Sequence, residues 1–163
     1  MRPRKQMRAY VGCSLTQAPK VFKANVEAFK ADLRKNGYEV LDFVGLEAGT
    51  ALDVYRWDLE HCVGSCDVFI GICDLPSLGL GFEINQAIHL GKPTLLVAHE
   101  DAKVTRMVLG TAEAERYVSF ERYSSLTDVL TLVQRLRPRG QLLHRIMTWF
   151  RRARSFMSKV RSW

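Results

Sequence analysis

The stretch Asp74 to Pro93, DLPSLGLGFEINQAIHLGKP, sets one acid, Glu83, behind Ser77, Gly79 and Gly81, where an apolar strand gives way to a helix. Residue type and place allow two readings of Glu83. An acid in a first helical turn is favoured by the macrodipole, by roughly a few tenths of a kcal/mol. A carboxylate beside free backbone N–H groups is also held ionised and aimed, as a reagent must be. The glycines are either loop punctuation or a cradle for an anion. Their spacing is not G-x-G-x-x-G, and no Walker lysine follows, so neither dinucleotide nor P-loop binding is implied. No Ser/His/Asp order suggests a hydrolase triad. Cys13, Cys62, Cys66 and Cys73 lack paired zinc spacing and read as reduced thiols. No metal and no cofactor is expected.

The elements that must position Glu83 follow from periodicity. Residues 8–13 (RAYVGC) form a short apolar run, a first buried strand. The next segment places Val21, Phe22, Val26, Phe29 and Leu33 on one helical face and lysines on the other, and Asn36-Gly37 ends it. Residues 38–43 read as a second strand. Residues 49–64 read as a helix with Thr50 as N-cap. Residues 67–73 (DVFIGIC) are apolar on both faces, as a parallel sheet demands. A helix over 81–91 closes at Gly91, a fourth strand starts at Lys92, RYVSF is a fifth, and 124–137 form a last core helix. Alternation of this kind predicts an α/β fold, a doubly wound, Rossmann- or flavodoxin-like, five-stranded parallel sheet. Ligands then bind beyond the carboxyl ends of the strands. That rule gathers Gly12-Cys13-Ser14, residues 74–81 and the loop after the fourth strand into one site.

Charge divides the 163 residues into three parts. Residues 1–8 carry four positive charges, and 136–163 carry eight with no acid. Residues 9–135 hold twelve basic and seventeen acidic residues. The expected organisation is a basic arm (1–8), a domain (9–137) and a basic amphipathic tail (138–163). The net charge of +7 therefore belongs to the ends, and no specific nucleic-acid partner is implied. No run is long enough to span a bilayer, and no signal peptide is seen, so the expected place is the cytoplasm.

YVGCS, the DLE of residues 58–60, the string from Cys66 to Pro93 and VTRMVLG together resemble the nucleoside 2-deoxyribosyltransferase superfamily. The closest branch is that of 2'-deoxynucleoside 5'-phosphate N-hydrolases, which share Pro-Ser-Leu-Gly-x-Gly-Tyr/Phe-Glu. The resemblance covers most of residues 9–123 and implies cleavage of the bond between a nucleobase and its sugar. It makes Glu83 the nucleophile at the anomeric carbon, Asp58 the acid assisting the leaving base, and Tyr10 a tyrosine beside that pair. An oxocarbenium-like transition state wants such a carboxylate and such a proton donor. From Asp58 to Asp67 the chain is one residue longer than the family pattern, and the extra residue is expected near Gly64-Ser65, where a helix can end loosely.

Ser77 stands where the nucleotide hydrolases carry serine and many transferases aspartate, which favours a nucleoside 5'-monophosphate as substrate. A hydroxyl donates to a phosphate, whereas a carboxylate repels it. The backbone N–H groups of Leu78, Gly79 and Gly81 are expected to add an anion nest. Gly12 and Ser14 belong to the loop after the first strand, and Ser14 matches a family serine. Thr105 falls where the hydrolases place a serine that reaches a neighbouring subunit's site. Gly-Cys-Ser replaces the family's Cys-Gly-Ser, and LTQAPK lacks its arginine and glycines, with Lys20 as the substitute counter-charge. The expected function is hydrolysis of a nucleoside 5'-monophosphate. The alternatives are deoxyribosyl transfer between bases and non-catalytic nucleotide binding. A homodimer or higher homo-oligomer is expected. Residues 141–163 suit packing or dimerisation, a membrane-peripheral helix on anionic lipid, or contact with a nucleic-acid backbone.

Overall fold

The structure, a computed structural model, describes residues 6–43 and 49–136. The tail from 138 onward, with its expected helix, and most of the basic arm lie outside the described residues. Five strands, β1 (Met7–Cys13), β2 (Tyr38–Leu41), β3 (Val68–Ile72), β4 (Thr94–His99) and β5 (Val118–Tyr123), pair in the order β2-β1-β3-β4-β5. Every pairing is parallel. This is the expected doubly wound sheet, with its switch point between β1 and β3.

Alternation along the strands sorts the core into two layers. Ala9, Val11, Val68, Ile70 and Ile72 face α1 (Lys20–Lys35) and α5 (Leu126–Arg135), meeting Val26, Phe29, Leu33, Val129 and Val133. Tyr10, Phe69, Leu96 and Ala98 face the opposite layer. That layer holds α2 (Ala51–Arg56), which continues as a π-helical segment over Trp57–Val63, and α3 (Leu78–His89). Residue parity on β1 thus sends Tyr10 toward the layer that carries Glu83.

Four expectations change. Helix α3 starts at Leu78 rather than 81, because the Ser77 hydroxyl accepts the Leu80 N–H at 3.2 Å and caps it. Gly79 and Gly81 are therefore helical, and Glu83 lies in the second turn rather than at the start. A further helix, α4 (Arg106–Ala114), escaped periodicity because it buries no residue fully. On α1, Val21 is 71% exposed, whereas Lys30 is 1% exposed. Lys30 follows Val26 by four and precedes Leu33 by three, so helical geometry puts it on the buried stripe.

The 49–64 helix also differs in winding. Thr50 caps it as expected, reciprocally with Asp53, but Trp57–Val63 is π-helical. A π turn holds one residue more than an α turn closed by i→i+4 bonds. The segment that carries Asp58 is therefore more widely wound than the α-helix expected there. The helix end is not loose. Lys92 Nζ donates to the carbonyls of Gly64 (2.7 Å) and Cys66 (2.8 Å), and the Cys66 N–H reaches the Cys62 carbonyl at 3.0 Å.

Candidate active site

Beyond the carboxyl ends of β1 and β3, a cavity of about 210 Å³ is lined by Tyr10, Cys13, Phe43, Val54, Asp58, Ser77, Gly79 and Glu83, among others. Each side chain arrives from a different element. Tyr10 points up from β1, Asp58 inward from the π-helical segment, and Glu83 down from the second turn of α3. Glu83 is 8% exposed, and its Oε1 accepts the Tyr10 hydroxyl at 2.6 Å. No hydrogen bond of its Oε2 is found among the described residues.

Burial dominates the electrostatics. It raises the Glu83 carboxyl from an ordinary 4.5 to about 7. The Tyr10 hydrogen bond and the charge of Lys30 pull it down, and the negative charge of Asp58 pushes it up. The expected bed of backbone N–H groups is therefore replaced by a phenol. The Tyr10 hydroxyl is driven far above its own ordinary range, by burial first and by Glu83 next, so it remains a donor. A carboxyl poised near neutrality in a cleft with a second acid can act as nucleophile or base. Burial also pushes the Cys13, Cys62 and Cys73 thiols up to about 12, so none is a thiolate near pH 7. Among the described residues no cluster of three or more His, Cys, Asp or Glu could hold a metal ion.

Gly12 is needed here because of close approach. A Cβ at this position would overlap Glu83 Oε2 and stand 2.9 Å from Phe69 Cζ and 3.1 Å from Leu80 Cδ1. Gly12→Ala is expected to cost about 1–3 kcal/mol, read as a fall in melting temperature of several degrees. The loss should shrink in a Gly12→Ala/Glu83→Ala double variant, where the overlapping carboxylate is gone.

The remaining expected residues divide. Ser77 and Gly79 line the Glu83 cavity, while Gly81 and Thr105 line an adjoining apolar cavity of about 400 Å³ between α3 and α4. Ser77 borders both. With its oxygen accepting from Leu80, the Ser77 hydroxyl proton is left to donate outward. The N–H groups of Leu78 and Gly79 open the helix and have no intrahelical acceptor. Gly81 is not part of a nest, since its N–H donates to the Ser77 carbonyl at 3.2 Å. Ser14 is buried, and its neighbours Cys13, Leu15 and Thr16 line the cavity in its place. Thr105 caps α4. Lys20 is exposed and does not line the cavity.

Asp67 and Asp74 have structural partners. Asp67 accepts the Arg8 N–H at 2.8 Å, and Asp74 accepts the His99 N–H (2.8 Å) and the Tyr123 hydroxyl (2.5 Å). Sequence reasoning missed Phe43 and Val54 on the cavity wall and Lys103 in the adjoining cavity. It also missed Lys30, for which the i+4 spacing from Val26 was the available signal.

No family model matches the chain. It is 30% identical over 125 residues to "Putative 2'-deoxynucleoside 5'-phosphate N-hydrolase 1" of Thermofilum pendens, covering 71% of this chain and 85% of that protein. A protein of the same description from Methanococcoides burtonii is 30% identical over 91 residues, 51% of this chain and 74% of the other. Two solved structures share the fold. The Clostridium botulinum CMP N-glycosidase BcmB superposes with a TM-score of 0.60 at 21% identity, over 78% of this chain and 98% of that one. The 2-deoxyribosyltransferase of Bacillus psychrosaccharolyticus gives 0.55 at 22% identity, over 75% and 89%.

Proposed function

Because the chain belongs to the nucleoside 2-deoxyribosyltransferase superfamily and is an enzyme of the N-glycosidase and deoxyribosyltransferase type, we propose that it hydrolyses the N-glycosidic bond of a nucleoside 5'-monophosphate through a Glu83 glycosyl-enzyme. The observation that carries this reading is the Glu83 carboxylate, oriented by Tyr10 at 2.6 Å in a cavity it shares with Asp58.

In the proposed reaction Glu83 attacks C1' of the sugar. The bond from C1' to the base nitrogen breaks, its electron pair leaves with the base, and Asp58 in its acid form supplies the base's proton. Water then attacks C1', Asp58 takes the water's proton, and the Glu83 carboxylate is released. Free base and sugar 5-phosphate are the products. Tyr10 keeps one Glu83 oxygen fixed so that the other meets the sugar, and burial excludes competing water. For the 5'-phosphate, support comes from the outward hydroxyl of Ser77 and the first N–H groups of α3, which suit an anion.

The test is chromatographic detection of free base from a panel of ribo- and deoxynucleoside 5'-monophosphates and the matching nucleosides, with and without a second base as acceptor. Release that needs the phosphate supports the nucleotide hydrolase. Formation of a new nucleoside with the acceptor would make the chain a transferase. Binding without release would leave it a nucleotide-binding protein.

Tyr10→Phe should move the acid limb of the pH–rate profile upward, since the lost hydrogen bond favours the ionised carboxyl of Glu83. Activity should therefore fall more at pH 6.5 than at pH 9, which a pH series of initial rates would show. An equal fall at all pH values would mean that Tyr10 only shapes the cavity.

A further inference from the structure

A lysine in the interior of a small α/β domain is costly unless its charge is matched. Lys30 sits on the sheet-facing stripe of α1, 1% exposed. Its Nζ donates to Glu27 Oε1 at 2.9 Å, lies 3.4 Å from Asp42 Oδ1, and stands 4.7 Å from the centroid of the Phe43 ring. Asp42 and Phe43 follow the end of β2. Phe43 lines the Glu83 cavity. Asp42 does more than balance the charge, because its carbonyl accepts the Trp57 indole N–H at 2.9 Å and the Cys62 thiol at 3.4 Å. Those two residues flank Asp58 on the π-helical segment. A single ammonium thus stands behind the aromatic wall and beside the strand end that anchors the helix of the second acid.

We propose that Lys30 is a positioning residue of the Glu83 cavity: its ammonium, gripped by Glu27 and Asp42 and seated on the Phe43 ring, fixes the aromatic wall of that cavity. The reading rests on the proposed function for its substrate arm only.

The partners of Lys30 argue against a purely structural role. The side chains of Glu27 and Asp42 are 59% and 52% exposed, so both rehydrate when the ammonium is lost. Replacing a buried ion by an apolar group of similar volume is often close to neutral for stability. The cation is therefore a weak device for holding the fold and a specific one for the site. Lys30 lowers the pKa of Glu83 and also acts on Cys13, in the same cavity. The other groups acting on Glu83 are Tyr10 from β1, which favours ionisation, and Asp58 from the π-helical segment, which opposes it. The protonated thiols of Cys13 and Cys62 flank these groups.

The experiment compares wild type, Lys30→Met, Lys30→Arg and Phe43→Leu in the full chain. The first readout is the titration of the Glu83 carboxyl by carbon-13 NMR of glutamate-labelled protein, assigned with Glu83→Gln. It needs no turnover. The second is the KM and kcat of the best substrate in the nucleoside 5'-monophosphate panel, or calorimetric affinity for the same nucleotide if none is cleaved.

Lys30→Met is expected to raise the Glu83 midpoint and to raise KM or Kd roughly tenfold, a typical cost of loosening a positioning wall, with little change in melting temperature. Lys30→Arg should restore the midpoint. Phe43→Leu should reproduce the loss of affinity without the shift in midpoint, and it decides the wall's role even if Lys30→Met fails to fold. A lowered melting temperature with unchanged midpoint and affinity would overturn the proposal. A shifted midpoint in a protein that neither cleaves nor binds nucleotides would keep the Lys30 coupling and overturn the substrate reading instead.

Discussion

Glu83→Gln is expected to abolish base release, by at least roughly 10⁴-fold in kcat, while leaving a folded protein that still binds the nucleotide. Loss of a covalent nucleophile is among the largest single-residue effects on an enzyme, because no neighbouring group can form the intermediate. Of the other described groups in the cavity, Asp58 is the proposed proton donor and enters from a different element, the π-helical segment. Tyr10 stays a protonated phenol, and the Cys13 thiol is held near 12. Retained turnover in Glu83→Gln would reject the glycosyl-enzyme outright. Single-turnover base release and calorimetric binding, measured together, separate loss of chemistry from loss of the site.

The same substitution carries a stability signature with a definite sign. Burial lifts the Glu83 carboxyl from 4.5 to about 7, so the folded state holds this proton more tightly than the unfolded state does. Stability therefore falls as pH rises from about 4.5 to about 7, and the penalty is complete above that. Its size is roughly 3 kcal/mol for this group. Glutamine does not titrate and can still accept from Tyr10. The melting temperature of Glu83→Gln relative to wild type should consequently climb between pH 5 and pH 8. A constant difference across that range would mean that Glu83 titrates like an ordinary surface acid. A carboxylate held at such a cost is the exchange of stability for activity that the role proposed for Glu83 would require.

The features legible in the sequence were those that hydrophobic pattern specifies directly. VFIGI is apolar at every position and is buried at every position in the central β3. Ser77, Gly79 and Glu83 stood out by type and spacing, and three elements brought Tyr10, Asp58 and Glu83 to one cavity. What escaped notice depended on interactions that spacing does not encode. The start of α3 was set by a hydroxyl cap from Ser77, which turned two apparent loop glycines into helical ones. Helix α4 buries no residue fully and packs only the half-buried Val108 and Ala112 on the core, too short a stripe to mark a helix. The π-helical winding is a property of the hydrogen-bond ladder, held by Lys92 at one end and by Trp57 against Asp42 at the other. By charge Lys30 belongs to the solvent face, but its helical phase with Val26 and Leu33 puts it inside. Charge type and helical phase conflicted there, and phase decided.

Asp58→Asn is expected to lower kcat by about 10²–10⁴-fold, the usual worth of a positioned general acid. The loss should depend on the leaving base. A 7-methylguanine nucleotide, whose base departs without needing a proton, should lose far less than an ordinary purine or pyrimidine nucleotide. In the resting enzyme, where an ionised Asp58 opposes ionisation of Glu83, the Glu83 midpoint should also move to lower pH. Tyr10→Phe moves that midpoint the opposite way, and the two shifts together distinguish a charge neighbour from a hydrogen-bond donor. Deleting the exposed Glu60 should act like Asp58→Asn on ordinary nucleotides. It would close the wide turn to α geometry and swing Asp58 by about 100° relative to the pinned helix end at Gly64. An equal loss on every leaving base would remove Asp58 from the proton-transfer step. Glu83 would then act with another donor, and the π-helical segment would serve only to pack Leu59, Cys62 and Val63 against the sheet.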